Sequence, residues 1–230
     1  MKPAGIIALI FFLSVGEQVF SQTRSFVPEW SYGVNGGLTF SKVGFSSAFL
    51  SVPQDLFMQY SGGVTARYIS EKNFGIQVEL NYSQRGWKER TGTGTDAALY
   101  PNRYARSITY LELPVMTHIY FGLGKHVRFI FNLGPQIGYY IGEKTVGTID
   151  IQDYKPNDAG DSYYNTSVQH PFDYGLKGGP GLEFQTAAGS IILDGRYYFG
   201  LSDIFNTTRN DFFQASHNQI IGVNLSYLFK

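Results

Sequence analysis

Cysteine is absent from this chain of 230 residues. Its absence excludes a disulfide framework, a thiolate metal site and a cysteine nucleophile. Charged residues are also scarce: they make up 16% of the chain, whereas an ordinary soluble domain has roughly 25%. The 18 basic residues balance the 18 acidic ones. The chain therefore lacks the basic surface that nucleic acid requires, and no nucleic-acid partner is predicted.

A hydrophobic run long enough for a membrane-spanning helix, roughly 20 residues, is missing as well. The longest apolar run covers residues 6–15, follows the positive Lys2 and is followed by Ser21, a small residue suited to cleavage. This order is typical of a secretory signal peptide. We predict a signal peptide over residues 1–21 and one exported domain over residues 22–230, because no linker or shift in composition divides the remainder.

Aromatic residues and glycine are abundant, with 17 Tyr, 19 Phe and 27 Gly. In residues 172–184, FDYGLKGGPGLEF, apolar side chains alternate with glycines and charges. Successive side chains of a strand point to opposite faces, so this pattern predicts a strand with one apolar face and one small, polar face. The pattern recurs in eight segments: residues 30–41, 58–70, 74–87, 107–120, 127–141, 172–184, 190–201 and 219–229.

The connections between these segments alternate between long and short, and no helical pattern separates the strands. We therefore predict an all-β fold in which eight antiparallel strands form an up-and-down barrel. Pro135 and Pro180 lie within strands and remove ladder hydrogen bonds, so bulges are predicted at both.

Two eight-stranded barrels fit this pattern: a lipocalin-like cup with its apolar face inward, and a transmembrane barrel with its apolar face outward. The polar face favours the membrane barrel, because it carries mainly Gly, Ser, Asn and Gln, which suit a narrow interior. Its charges are balanced in sign, as buried charges must be if they are to pair. We predict a plugged, non-conducting interior with a structural network of ten charges: Arg67, Glu79, Arg85, Glu112, Arg128, Asp173, Lys177, Glu183, Asp194 and Arg196.

Aromatic residues gather at one set of predicted strand ends, where a membrane interface would lie. They are Trp30, Tyr32, Tyr68, Phe74, Tyr120, Phe121, Phe184, Tyr227 and Phe229. In an exported barrel the short turns are predicted to be periplasmic and the long loops extracellular. Outer-membrane lipid and lipopolysaccharide are the predicted contacts of the apolar face.

No catalytic site, cofactor or metal site is predicted. The four histidines, His118, His126, His170 and His217, have no serine and acid partners visible in the sequence, as a nucleophilic triad requires. Four aspartates of the third long loop are spaced unlike an EF-hand, and we interpret them as solvated: Asp150, Asp153, Asp158 and Asp161.

The chain from Trp30 onwards resembles the PorT-like outer-membrane β-barrel family of Gram-negative bacteria, whose members are eight-stranded barrels of the OmpX/OmpA type. Four segments carry the resemblance: YLELPVM at residues 110–116, FNLGPQIGYY at 131–140, FDYGLKGGPGLEF at 172–184 and LDGRYYFGLSDI at 193–204. The resemblance implies an integral outer-membrane protein and carries no catalytic motif.

Three functions remain open. The first is an anchored structural or binding barrel whose extracellular partner is unknown. The second, implied by the resemblance, is an accessory of a Por-type (type IX) protein secretion system, and the third is a lipid-modifying outer-membrane enzyme. Tyr227 and Phe229 resemble the insertion signal that the barrel-assembly machinery reads, although Asn224 and Lys230 depart from that signal.

Overall fold

The computed structural model describes residues 26–46, 54–90, 104–145, 167–206 and 215–229. The predicted signal peptide and the four aspartates of the third loop lie outside these residues. Within them the structure has nine strands: β1 (Glu29–Ser46), β2 (Gln54–Asp55), β3 (Phe57–Glu71), β4 (Phe74–Glu89), β5 (Ala105–Gly122), β6 (Val127–Thr145), β7 (Phe172–Gln185), β8 (Gly189–Gly200) and β9 (Ala215–Phe229). No helix of the described chain is long and apolar enough to cross a bilayer.

Eight long antiparallel strands close into a barrel. β1 pairs with both β3 and β9, and the sheet closes because β4 also pairs with β5. The two-residue β2 pairs only with the end of β4, at Glu89 and Lys88. Closure pairs the backbone groups of every long strand on both sides and leaves no open edge. The predicted eight-stranded antiparallel barrel is confirmed.

The two ends of the barrel differ in their connections. At one end, the turn end, the short segments 72–73, 123–126 and 186–188 join neighbouring strands. Asn73 has a positive φ of 72°, which asparagine tolerates better than most residues, and its side-chain amide donates to the Tyr120 carbonyl at 2.5 Å. At the other end, the loop end, strands are joined through residues 47–53, 91–103, 146–166 and 207–214.

Several strands extend further towards the loop end than predicted. β1 continues to Ser46 where the pattern predicted an end at residue 41, β6 continues to Thr145, and β9 begins at Ala215. The strand ends were predicted where the apolar outward side chains stop. Backbone hydrogen bonding between strands does not require an apolar side chain. The strands therefore continue beyond the apolar band, where outward positions such as Lys42 are polar and exposed.

The bulges predicted at Pro135 and Pro180 are not present. Pro135 faces Leu176, Pro180 faces Phe131, and the register between β6 and β7 is constant. The β7–β8 ladder has no paired residues at Gly179 and Pro180 but resumes in the same register at Gly181. The missing N–H of proline thus interrupts the hydrogen-bond ladder locally, and the strand contains no extra residue at that point. The register shifts of the described pairs lie elsewhere, at 69/71 and 109/110.

The two faces of the barrel wall differ in solvent exposure. Outward side chains such as Leu225 (56% exposed) and Val34 (52%) are apolar and uncovered, whereas their neighbours Asn224 and Asn35 are buried inside. The interior has an apolar cluster at each end with polar residues between them. The loop-end cluster comprises Val43, Trp87, Tyr104, Ile108, Tyr110, Ile204 and Phe205. The turn-end cluster comprises Ile69, Tyr120, Ile130, Ile192 and Leu228.

Candidate functional site: the barrel interior

All ten charged residues of the predicted network point into the barrel. Eight are buried, while Lys177 and Arg128 keep 14% and 25% of their side chains exposed. Each of the ten forms an ion pair with at least one other member. The structure thus brings together residues that are up to 117 positions apart in the chain.

Two of these ion pairs cross the lumen. Arg196 on β8 donates to Glu79 on β4 at 2.7 Å, and Arg67 on β3 donates to Glu183 on β7 at 2.9 Å. In each case the two strands are four steps apart around the closed sheet of eight, so they face each other across its full width. Arg196 also binds Asp194 on its own strand. Each bridge occupies the lumen at its own height along the barrel axis, and each such height is called a level below.

The level nearest the loop end is built around Arg85, whose side chain is fully buried. Its guanidinium lies 2.9 Å from Asp173, 3.8 Å from Glu112 and 3.7 Å from the centre of the Tyr110 ring. Tyr198 donates its hydroxyl hydrogen to Asp173. The carboxylate and the aromatic face together offset the cost of burying the guanidinium.

Lys177 supplies a second cation to this level. Its ammonium group lies 3.2 Å from Glu112, so each carboxylate near Arg85 has a cationic partner. Between this level and Arg196 lies a cavity of about 30 Å³, whose lining includes the small polar side chains Thr39, Ser61 and Ser83. A space of that size holds one or two water molecules.

His118 belongs to the level nearest the turn end. Its Nδ1 lies 2.8 Å from Asn132 Oδ1 and its Nε2 lies 3.5 Å from Arg67 Nη1. A neutral imidazole with its proton on Nδ1 satisfies both partners, because it donates to the amide oxygen and accepts from the guanidinium. These contacts give His118 a structural role. Neither of its partners is a serine that could act as a nucleophile.

The segment 201–206 folds into the barrel at the loop end. Ser216 anchors it by accepting from the backbone N–H of Ile204 and Phe205. Ser202 donates to Asp173 at 2.8 Å, which connects the segment to the charged level below. Ile204 and Phe205 are 1% and 4% exposed, and Phe205 lies edge-on to Trp87 at 6.2 Å. The loop-end cluster therefore covers the interior charges.

The sequence of this barrel matches a known family. A family profile described as "Outer membrane protein beta-barrel domain" matches residues 20–206. The chain belongs to this family. It is an integral outer-membrane protein, because the family and the closed antiparallel barrel agree on that location. No curated protein sequence matches the chain.

Solved outer-membrane barrels are similar to this chain at low sequence identity. The protein OprG from Pseudomonas aeruginosa is 13% identical, with a TM-score of 0.50 over 86% of this chain and 95% of that one. The attachment invasion locus protein Ail of Yersinia pestis is 14% identical, with a TM-score of 0.39 over 87% of this chain and 99% of that one. Neisserial surface protein A is 9% identical, with a TM-score of 0.42 over 88% and 99% of the two chains.

The outer surface of this outer-membrane barrel has aromatic side chains at its turn end. Trp30 stacks against Tyr32 and lies tilted against Tyr68, with ring centres 6.0 and 4.7 Å apart. Tyr227 and Phe229, the predicted insertion signal, lie at the end of β9 with their ring centres 4.9 Å apart. Tyr120 was predicted to belong to this aromatic row, but it is only 8% exposed and points inward. Its even position on β5 is shared with the inward Glu112 and His118, so strict alternation already implied this orientation.

One partly buried ion pair was missed by the sequence reasoning. Arg106 lies 2.6 Å from Glu143, near Trp87 and Phe205 in the loop-end cluster. Both residues fell within predicted loops, because the alternation of β5 and β6 was not followed beyond the apolar band. Arg106 shares the even, inward positions of β5, so an extended pattern would have placed it inside. Glu143 lies beyond the register shift at 109/110, which skips residue 141 on β6, so alternation alone would have placed it outside.

Among the described residues, no group of three His, Asp or Glu side chains comes close enough together to hold a metal ion. His217 lies 3.1 Å from the Gln219 amide nitrogen, so its described hydrogen bond is not to a catalytic acid. His126 and His170 are exposed. The chemistry that the interior supports is charge pairing and packing.

Proposed function

We propose that this protein is an anchored, non-conducting outer-membrane barrel that acts as a structural or binding element through its long extracellular loops. The observation that carries the proposal is the pair of cross-lumen bridges, Arg196–Glu79 and Arg67–Glu183. A permeating ion would have to separate buried charges that hold each other at 2.7 and 2.9 Å. Leaving one partner of such a buried pair uncompensated costs on the order of 3–5 kcal/mol.

The size of the barrel supports the same conclusion. Eight strands leave an interior just wide enough to be filled by side chains. Above the charges, Trp87 and Phe205 are almost fully buried in the loop-end cluster, and below them Ile69 and Leu228 are buried in the turn-end cluster. In this proposal, the outer face contacts membrane lipid and lipopolysaccharide, and the barrel-assembly machinery reads Tyr227 and Phe229 during insertion.

Display of the loops is tested by inserting an epitope after Gly160, in the third long connection. Antibody should label intact cells that carry this insertion. The matched control is the same epitope after Gly124, in the short turn between β5 and β6, which should be labelled only after the outer membrane is permeabilised. The opposite pattern would contradict the proposed orientation and the display function with it.

A role in a Por-type (type IX) secretion system is the second candidate, and the resemblance to PorT-like proteins favours it. The segments that carry this resemblance supply interior residues, such as Tyr110, Glu112 and Asp173, which barrel packing already accounts for. Secretion therefore needs a separate test. Deletion of the protein should reduce the export of type IX cargo if it is an accessory, and normal export removes this candidate.

A further inference from the structure

The barrel has a cavity at its turn end that the charge network does not fill. This turn-end vestibule has a volume of about 340 Å³ and is lined by Arg67, Arg128 and Ser31 together with apolar residues of the turn-end cluster. We propose that the vestibule binds a phosphate group. The proposal does not depend on whether the barrel conducts ions or displays its loops.

The charge at this level is unbalanced. Arg67 and Arg128 share a single carboxylate, Glu183, at 2.9 and 3.9 Å. His118 adds no charge, because its contacts with Asn132 and Arg67 are those of a neutral imidazole. One positive charge therefore remains in excess beside the vestibule. Glu29 also lines the vestibule, but it is exposed at the start of β1, where solvent weakens the repulsion between its carboxylate and an anion without abolishing it.

The two arginines differ in exposure: Arg128 keeps 25% of its side chain exposed and is within reach of an anion, whereas Arg67 is 3% exposed. The Nε of Arg67 is buried and has no hydrogen-bond partner among the described residues. Arg128 lies 4.5 Å from the centre of the Tyr120 ring, which holds it at the edge of the vestibule. With the Gln185 amide oxygen turned towards them, the three guanidinium nitrogens of Arg128 lie 2.9–3.3 Å from this neutral acceptor. An anion binds such a fork more strongly than an amide does.

Phosphate fits this arrangement better than a simple carboxylate. Two guanidinium groups and the Ser31 hydroxyl approach the vestibule from different strands, and phosphate offers enough acceptor oxygens to bind all three. Glu183 already provides the one carboxylate of this level. Two guanidinium groups thus share one carboxylate of the protein, and a group with several anionic oxygens balances the remaining positive charge.

The outer rim of the vestibule indicates a source for the phosphate. Trp30 lines the vestibule, yet its side chain is 59% exposed on the outer face, beside Tyr32 and Tyr68. Exposed Trp and Tyr side chains of membrane proteins lie at the depth of the lipid head groups. The phosphate can therefore come from a lipid head group at the rim or from a soluble phosphate.

Calorimetric titration of the full chain, refolded in an uncharged detergent, tests the proposal. Two probes are compared: inorganic phosphate and short-chain phosphatidylglycerol below its micellar concentration. The wild-type protein should bind at least one of them. Binding of phosphatidylglycerol alone assigns the site to a lipid head group, and equal binding of both assigns it to soluble phosphate. Binding of neither overturns the proposal.

Three variants show whether the vestibule is responsible. Arg128→Gln should weaken binding by about tenfold, because it removes a charge-assisted contact. Glu29→Gln should strengthen binding by about threefold, since it removes a negative charge from the rim. Arg90→Gln, which changes an exposed arginine near the loop end, should have no effect. If Arg128→Gln does not fold, Glu29→Gln decides alone. An unchanged affinity in Arg128→Gln or in Glu29→Gln contradicts the proposal.

Discussion

Arg196 on β8 and Glu79 on β4 are joined by a hydrogen bond of 2.7 Å that crosses the barrel from one wall to the other. Glu79 is further held by Gln77 and Asn81, at 2.6 and 2.9 Å. Asp194 binds the other side of the Arg196 guanidinium. The bridge is thus fixed at both of its ends, and it divides the interior into a loop-side part and a turn-side part.

Replacement of Glu79 by alanine should strongly destabilise the barrel. The change leaves the buried guanidinium of Arg196 with Asp194 as its remaining carboxylate partner, and we expect the free energy of unfolding to fall by about 3–5 kcal/mol. Urea unfolding of the protein in lipid vesicles, followed by tryptophan fluorescence, measures the change.

Asp55 provides the matched control for Glu79. It pairs with Arg90 at 3.1 Å, but both side chains are about half exposed or more, at 46% and 62%. Asp55→Ala should therefore cost less than about 1 kcal/mol. Equal effects of Asp55→Ala and Glu79→Ala would contradict a structural role for the cross-lumen bridge.

Phe205→Ala should open the loop-end cluster. Removal of a buried phenylalanine costs about 3–5 kcal/mol when the site cannot collapse, and the Phe205 side chain contacts Trp87 directly. In a Trp30→Phe background, Trp87 is the remaining tryptophan, and acrylamide should quench its fluorescence more strongly after Phe205→Ala. Phe199→Ala, on the outward face of β8, should leave this quenching unchanged.

Lipid-borne quenchers should reduce the fluorescence of one tryptophan much more than that of the other. Trp30 is 59% exposed on the outer face, whereas Trp87 is fully buried inside. In vesicles with lipids brominated near the head group, a Trp87→Phe variant should lose much more of its fluorescence than a Trp30→Phe variant. Equal quenching of the two variants would show that the faces of the wall have been assigned wrongly.

An arginine introduced on the outer face should destabilise the protein according to its depth. Leu225 lies in the middle of the apolar outward positions of β9, so Leu225→Arg should cost about 2–4 kcal/mol. Gln219 lies on the same face of the same strand, beyond the apolar band, and Gln219→Arg should cost about 1 kcal/mol or less. Unfolding in vesicles measures both variants, and a reversed order would contradict the predicted position of the bilayer.

Alternation along each strand was enough to predict the barrel and to assign the inward charges. On β9, alternation assigns Asn224 and Ser226 to the polar face and Leu225 to the apolar face, and the structure buries the first two and exposes the third. Alternation cannot predict which inward residues meet, because partners across the lumen depend on strand tilt and stagger. The contact between Arg67 and Glu183 joins β3 to β7, and no local pattern connects these strands.

The loop-end cluster escaped prediction for a different reason. Ile204 and Phe205 lie in a connection between two strands, and the sequence does not show that a connection folds inward. Their burial depends on backbone contacts with Ser216 and on the link from Ser202 to Asp173. These contacts join the connection to residues of β7 and β9, and no local sequence pattern indicates them.

The central claim is that side chains close the lumen at several levels, and electrical recording tests it most directly. The purified, refolded full chain is added to a planar lipid bilayer at high salt, with a general porin as the positive control. The account predicts that the protein inserts without producing stepwise currents, and that its heat-dependent shift on an unboiled gel shows it to be folded. Reproducible conductance steps from the folded protein would contradict the account.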